Sequence, residues 1–286
     1  MTGRSVYLDH RCIYRPRSTV STSLVTYRRD EHVAFLGLNR PEKLNAITPG
    51  LIADYRAALD QFISDPQARV AILYGEGRAF CVGMDLSPKY HTEPKDAGAD
   101  RTYIEEMARD WLRMWDCPKP IIAQVHGFCF AGGTQLPICC DITVVAEDAV
   151  LGWPKMPVGG GWISPMWSFL IGTQRAKLMS YSVGSEMTGL EAYEAGYASK
   201  VYPSETLAEE TLALAREIAK LPSDVLRIKK YANNRVWERQ GFREAVLGGA
   251  EWDAVAHSTE TVHTARAWIA EHGLKGAIDK FKKEGM

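Results

Sequence analysis

The chain has 286 residues, of which 46% are hydrophobic and 24% charged, as in ordinary globular proteins and unlike disordered ones. Its 34 Lys and Arg and 35 Asp and Glu give a formal net charge of −1, which argues against nucleic acid or a membrane as a partner because both favour a basic excess. No apolar run approaches the roughly 18–20 residues that span a bilayer. Residues 1–23 lack the apolar core of a secretory signal, so we expect an N-terminal arm on a cytoplasmic protein.

The cysteines of the chain do not have the spacing that is typical of a zinc site, and no metal is expected. Without a secretory signal the compartment is expected to be reducing, and a chain of this length does not need disulfides to hold its core. We predict buried free thiols at Cys12, Cys81, Cys117, Cys129, Cys139 and Cys140.

The first regular elements are predicted between residues 25 and 66. Residues 25–39 contain two β-rich pieces separated by a charged turn. Thr48 followed by Pro49 is typical of a helix start, because a hydroxyl caps the first turn and proline suits the first helical position. Apolar residues then repeat at helical spacing until Asp65 and Pro66 end the helix.

Further along the chain, strands are predicted at residues 69–77, 118–133 and 141–156. Strands that alternate with helices indicate βαβ units and a largely parallel sheet. After Ser164 the pattern is helical to the end, so these helices would form a lid or an oligomerisation layer. The predicted class is therefore α/β, divided into an arm (1–23), an α/β core (24–200) and a C-terminal helical region (201–286).

Two glycine-bearing turns follow buried strands, in GRAFCVGMDL (residues 77–86) and HGFCFAGGTQL (residues 126–136). Glycine lets the backbone approach a ligand closely, and the second turn opens a helix whose first N–H groups lack partners inside the helix. One donor from each turn, aimed at one point, would form an oxyanion hole for a thioester carbonyl that becomes an enolate. Spacing alone leaves open the alternative of two tight turns in an α/β protein.

Four segments, in order, resemble the enoyl-CoA hydratase/isomerase (crotonase) superfamily over residues 24–282. They are RPEKLNAIT (40–48), the first glycine turn, the stretch from Pro120 to Gly159, and MTGLEAYEAGYASKVYP (187–203). The resemblance implies a crotonase-like spiral of ββα units that forms a homotrimer or a dimer of trimers through its C-terminal helices. It also implies an acyl-CoA thioester substrate, with no metal and no redox cofactor.

By position in these motifs, the resemblance places two oxyanion donors at the backbone N–H groups of Met84 and Gly132. Met84 would narrow the acyl pocket, or it simply fills the core. The RPEKLNAIT loop would line the site for the adenine of CoA, and a C-terminal stretch with Leu274, Ile278 and Phe281 can close over CoA from a neighbouring subunit. The substrate contacts implied in this way are Glu42, Leu44, Ala46, Ala79, Gly83, Asp85, Leu86, Ala131, Pro154 and Trp162.

Two positions depart from the family pattern and bear on the chemistry. Hydratases of this family use two glutamates to activate water, and here those positions carry Gln135 and Lys155. A carboxamide can hold a water but takes no proton near neutral pH, and an ammonium acts as a base only where burial or charge removes its proton. Lys155 is therefore a base, a charge on the pocket rim, or a group that binds an anionic substrate.

The loop after Lys155 offers no carboxylate for an isomerase-type reaction. Its glycines at 159–161 would make it compliant, and Trp162 and Trp167 either pack in the core or face a bulky acyl group. His91 is an acid–base candidate or a solvated loop residue. The residues expected to be structural are Asp85, His126 and Asp141.

The leading hypothesis is an enzyme that stabilises a thioester enolate. Because both glutamates are replaced, its reaction stays open among hydration through Gln135 and Lys155, isomerisation, C–C cleavage and decarboxylation. Two alternatives belong to other classes, namely a non-catalytic acyl-CoA-binding protein and an oligomeric scaffold.

Overall fold

The computed structural model describes residues 23–90, 96–159 and 163–286, and within them ten strands form two sheets. In chain order the strands are β1 (Val25–Asp30), β2 (Val33–Leu38), β3 (Val70–Gly75), β4 (Ala79–Cys81), β5 (Ile121–Val125), β6 (Phe128–Phe130), β7 (Ile142–Ala146), β8 (Val150–Gly152), β9 (Glu186–Thr188) and β10 (Lys200–Tyr202). The larger sheet has the order β1-β2-β3-β5-β7-β10 and the smaller one β4-β6-β8-β9.

Both sheets are largely parallel, as predicted. In the larger sheet only the β1–β2 hairpin is antiparallel, and in the smaller sheet only the β8–β9 pair is. The central strands β3, β5 and β7 are almost entirely buried, which explains why their sequences are continuous apolar runs. The predicted α/β class is thereby confirmed.

Helices make up most of the remainder. They are α1 (Pro49–Ser64), α2 (Ala97–Asp116), α3 (Gln135–Cys139), α4 (Ile163–Ile171), α5 (Thr173–Tyr181), α6 (Gly189–Glu194), α7 (Leu207–Ile218), α8 (Ser223–Arg239), α9 (Phe242–His257) and α10 (Glu260–Glu284). The predicted helix start is confirmed, since the Thr48 hydroxyl accepts a hydrogen bond from the Leu51 N–H at 3.1 Å. The helix ends at Ser64, directly before Asp65 and Pro66.

The C-terminal helix α10 packs on the loops that follow β4 and β8 of its own chain. A small apolar cluster joins Leu86 and Val158 to the α10 residues Trp268, Ile278 and Phe281. Within the single chain, Ile278 and Phe281 therefore lie against these loops, while Leu274 is exposed. The helix is broken at Gly273, whose φ of 69° and ψ of 167° are not helical.

Asp141 has the structural role that the sequence predicts. Its carboxylate pairs with the buried Lys230 of α8 at 2.8 Å and accepts a hydrogen bond from the Ile121 N–H. Burial raises the pKa of this carboxyl although the ammonium of Lys230 opposes the shift. The pair thus ties the C-terminal helices to the start of β5.

Five of the six cysteines fall in the described residues, and all five are buried free thiols, as predicted. Cys12 and nearly all of the predicted N-terminal arm lie outside the described residues. No helix within the described ranges combines the length and apolar character that crossing a membrane requires.

Candidate active site

Three chain segments leave the carboxyl edge of the smaller sheet side by side, because β4, β6 and β8 are parallel neighbours. They are the first glycine turn after β4, the second glycine turn after β6, and a loop after β8 that we call the 153–159 loop. In open α/β sheets this edge is where ligands bind. Both predicted oxyanion turns and Lys155 therefore lie at one edge of one sheet.

Hydrogen bonds fix the direction of the Met84 backbone in the first turn. Ile47 donates its N–H to the Gly83 carbonyl at 2.8 Å and accepts from the Asp85 N–H at 2.9 Å. Peptide groups alternate in direction along an extended chain, so the Met84 N–H faces away from Ile47. No described residue accepts a hydrogen bond from this N–H, which leaves it available to a ligand.

Buried aromatic residues fix the second turn through hydrogen bonds. The Trp167 indole N–H donates to the Thr134 hydroxyl at 2.9 Å, and the Tyr197 hydroxyl donates to the Thr134 carbonyl at 2.6 Å. Thr134 in turn donates to the carbonyl of Ala131, whose φ of 50° is unusual for a residue with a side chain. Trp167 is thus a core residue that supports the turn, whereas Trp162 lies outside the described residues.

The two turns are in direct contact. A Cβ atom placed on Gly83 would lie 2.9 Å from the Gly132 nitrogen and 3.0 Å from the Phe130 oxygen, and the φ of Gly83 is +86°. Only glycine fits here, because any side chain would push the turns apart. The Met84 and Gly132 peptide groups are therefore neighbours with no core between them, and the convergence of their N–H groups on one oxygen stays a prediction.

Gln135 presents an unpartnered carboxamide beside this contact. The residue is 1% exposed, and neither amide atom has a hydrogen-bond partner among the described residues. Its Oε1 lies 3.6 Å from a Cβ atom built on Gly132. An unsatisfied buried polar group costs about 1–3 kcal/mol, so a polar group of a bound molecule would relieve this cost.

Lys155 lies at the exposed rim of the candidate site rather than in its interior. Its side chain is 40% exposed and forms an ion pair with Glu186 of β9. Its Nζ also lies 5.1 Å from the centre of the Phe130 ring. A half-exposed ammonium that is already paired with a carboxylate favours the interpretation as a rim charge over that as a base.

Arg40 connects the RPEKLNAIT loop to the first glycine turn. Its guanidinium lies 2.7 Å from the Asp85 carboxylate and donates to the Ala46 carbonyl at 3.1 Å. Partial burial opposes ionisation of Asp85, but hydrogen bonds from Ser87 and Arg40 outweigh it and lower the pKa of this carboxyl. The geometry supports a structural role for Asp85.

The other implied substrate contacts are unequally accessible. Glu42 is exposed on the loop, and Leu44, Leu86, Ala131 and Pro154 are partly exposed around the same edge. Ala46 is buried, as is Ala79, whose carbonyl accepts a hydrogen bond from the Asn45 amide. A substrate contact at Ala79 would thus need its neighbours to move.

The predicted histidines differ in what the structure shows of them. His91 lies outside the described residues. His126 bonds to the Gly77 carbonyl at 2.9 Å, and burial lowers its pKa. It is thus a structural residue that holds the start of the first glycine turn.

Two side-chain pairs of the structure have no counterpart among the sequence predictions. One is the Arg40–Asp85 ion pair, which joins two recognised motifs. The other is a hydrogen-bonded pair of Asp100 on α2 and His257 on α9, described below. Neither has a local sequence signal, because each depends on residues that are distant along the chain.

Comparison with known proteins identifies the family to which this chain belongs. The model of the enoyl-CoA hydratase/isomerase family matches residues 28–261, and the chain belongs to that family. This confirms the resemblance seen in the sequence, including the crotonase-like fold that it implies.

Among its relatives is the hydroxycinnamoyl-CoA hydratase-lyase of Pseudomonas fluorescens, which is 34% identical over 73% of this chain and 79% of the relative. The mitochondrial enoyl-CoA hydratase of Pongo abelii is 30% identical over 73% of this chain and 71% of the relative. A crystal structure of an enoyl-CoA hydratase/isomerase from Xanthobacter autotrophicus Py2 superposes with a TM-score of 0.85 at 30% identity, covering 91% of this chain and 97% of the other.

Proposed function

We propose that the protein binds an acyl-CoA thioester and stabilises its enolate through the backbone N–H groups of Met84 and Gly132. The observation that carries this proposal is the contact between the two glycine turns, which makes these peptide groups neighbours. Family membership and the names of the relatives support an acyl-CoA substrate and a hydratase-like enzyme.

The chemistry follows from charge on the thioester oxygen. When a carbon next to the thioester gains negative charge, that charge moves to the carbonyl oxygen, where two fixed N–H donors lower its energy. Removal of one such donor in other enzymes costs about 10²–10³ in rate. The proposal requires no metal or redox cofactor, since the CoA is part of the substrate.

Gln135 contacts the acyl end of the bound molecule in this proposal. Its buried carboxamide can hold a water or a polar substituent through one acceptor and two donors. It cannot take a proton, and Lys155 is engaged by Glu186 at the rim. The reaction is therefore a variant within the family, drawn from hydration, isomerisation, C–C cleavage and decarboxylation.

Turnover of crotonyl-CoA, followed by absorbance, tests the hydration variant. Brisk turnover that Gln135→Ala and Lys155→Ala abolish would support hydration through this pair. Turnover that both variants leave unchanged would refute the assignment of these two residues, and no turnover would direct the search to the other reactions.

The second candidate function is a non-catalytic acyl-CoA-binding protein. It is favoured by the absence of a carboxylate at both positions 135 and 155. It predicts tight binding of CoA esters by calorimetry and no product from any member of an acyl-CoA panel. A single turned-over member would exclude it.

We propose a homotrimer or a dimer of trimers as the assembled form. Large apolar side chains remain exposed on several helices of the single chain, including Tyr181 of α5, Ile228 of α8 and Trp252 of α9. Where such side chains form a contiguous patch, they are typical of a surface that a partner covers. Sedimentation that gives a monomer mass at micromolar concentration would contradict this assembly.

A further inference from the structure

A carboxylate–imidazole pair joins two helices next to the 153–159 loop. The Asp100 carboxylate of α2 lies 2.6 Å from Nδ1 of His257, at the end of α9. The two side chains are only 17% and 19% exposed. Because a carboxylate only accepts hydrogen bonds, the Nδ1 atom carries the proton, and the lone pair of a neutral ring is then on Nε2.

The Nε2 edge of this imidazole faces the 153–159 loop. A Cβ atom on Gly159 would lie 3.0 Å from Nε2 and 3.0 Å from the Asp253 carboxylate, and no described residue forms a hydrogen bond with Nε2. Among the residues that the structure describes, the charged groups shown near the ring are Asp100 on α2 and Asp253 on α9, and the Arg101–Glu251 ion pair joins the same two helices. The titratable side chain of this loop, Lys155, pairs with Glu186.

The Asp100–His257 pair contacts the same loop that carries Lys155 of the candidate site. Gly159, which the imidazole contacts, is four residues beyond Lys155 on the loop that begins at the sheet edge carrying both glycine turns. Asp100 lies in the first turn of α2. The site itself has no carboxylate at positions 135 and 155, so proton transfer there requires another group.

We propose that His257, oriented by Asp100, is the proton-transfer residue of the acyl site. This inference rests on the proposed function. The Nε2 lone pair takes a proton from the acyl carbon next to the thioester, and the electron pair of the broken C–H bond moves to the carbonyl oxygen as an enolate. The imidazolium then returns the proton to carbon, so charge and atoms balance without a further reactant.

Exchange of acyl protons for deuterium tests this role. Butyryl-CoA is incubated with the protein in D2O, and loss of the protons next to the thioester is followed by NMR. The wild type is expected to exchange them, and His257→Ala to slow exchange by about 100-fold or more with butyryl-CoA binding retained by calorimetry. Added imidazole is expected to restore part of the rate, which a purely structural residue would not allow.

His263→Ala is the matched control, because His263 is an exposed histidine on α10 and its loss should leave exchange unchanged. Asp100→Asn keeps the shape of the pair, and it carries the test if His257→Ala does not fold. It should slow exchange and alter its pH profile, because the ring loses the carboxylate that orients it.

The outcomes separate this inference from the proposed function. Equal exchange rates in the wild type and His257→Ala would overturn the role of His257 alone. Binding without exchange in the wild type would overturn proton transfer and leave acyl-CoA binding intact. A wild-type protein that does not bind butyryl-CoA would overturn both.

Discussion

Gly83→Ala is expected to damage the site far more than it damages the fold. The new Cβ atom would lie 2.9 Å from the Gly132 nitrogen and 3.0 Å from the Phe130 oxygen, closer than packed atoms allow. Both obstructing atoms belong to the backbone, so relief requires the two glycine turns to separate. The Met84 and Gly132 N–H groups would then no longer act on one oxygen.

The expected effect of Gly83→Ala has two parts, a loss of stability and a loss of rate. A residue with a side chain in the left-handed region costs about 1–2 kcal/mol, and each 1 kcal/mol lowers Tm by roughly 2–4 °C in a domain of this size class. Misplacing an oxyanion donor costs about 10²–10³ in rate. We therefore expect a modest loss in Tm together with a large loss in kcat/KM for whichever acyl-CoA the protein turns over.

Gly241→Ala provides the control, because Gly241 has the same φ of +86° but its Cβ would meet only the Glu244 carboxylate at 4.0 Å. Gly241→Ala should lose only the stability that the left-handed φ costs, Gly83→Ala should lose more because its Cβ also meets backbone atoms, and only Gly83→Ala should lose activity. A Gly83→Ala enzyme with unchanged kcat/KM would refute the oxyanion assignment, since the turns could then separate without effect.

Three further predictions concern stability. Lys230→Met leaves the buried Asp141 carboxylate without its ammonium partner. Because the Lys230 side chain is only 2% exposed, we expect the free energy of unfolding in urea to fall by about 3–5 kcal/mol. A fall below about 1 kcal/mol would mean that the pair behaves like a surface pair. Thr48→Ala removes the cap of α1 and should cost about 1 kcal/mol in the same assay, whereas no change would show that the cap is dispensable. Arg40→Met should raise the pKa of Asp85. In the wild type the folded protein lowers this pKa, so the ionised Asp85 carboxylate stabilises the fold above about pH 4, and this stabilisation is lost as the pH falls through the lowered pKa. The difference in unfolding free energy between the wild type and Arg40→Met should therefore shrink on acidification, and a constant difference would contradict this.

Local signals in the sequence were sufficient for the elements that depend on neighbouring residues. Thr48 followed by Pro49 identified a helix start because capping acts within one turn. The continuous apolar runs of β3, β5 and β7 identified a buried parallel sheet. The glycines at 83 and 132 lie in the two turns that the sequence predicts to approach a ligand, and in the structure these turns contact each other.

The candidate site was predictable only in part, because its side chains find partners across the fold. The motif placed Lys155 at the site, but its ion pair with Glu186 depends on the antiparallel pairing of β8 and β9. Asp100 and His257 meet because α2 packs on α9, which no local pattern encodes. The division of the chain at residues 23 and 200 stays a prediction, although α9 contributes buried residues to the main core.

The packing of α10 on Leu86 and Val158 has a consequence for biosynthesis. This helix follows the strands of both sheets along the chain, so it emerges from the ribosome after them. Domains generally begin to fold from the N-terminal side during synthesis. The two sheets can thus assemble on the growing chain before α10 completes the outer wall of the loops after β4 and β8.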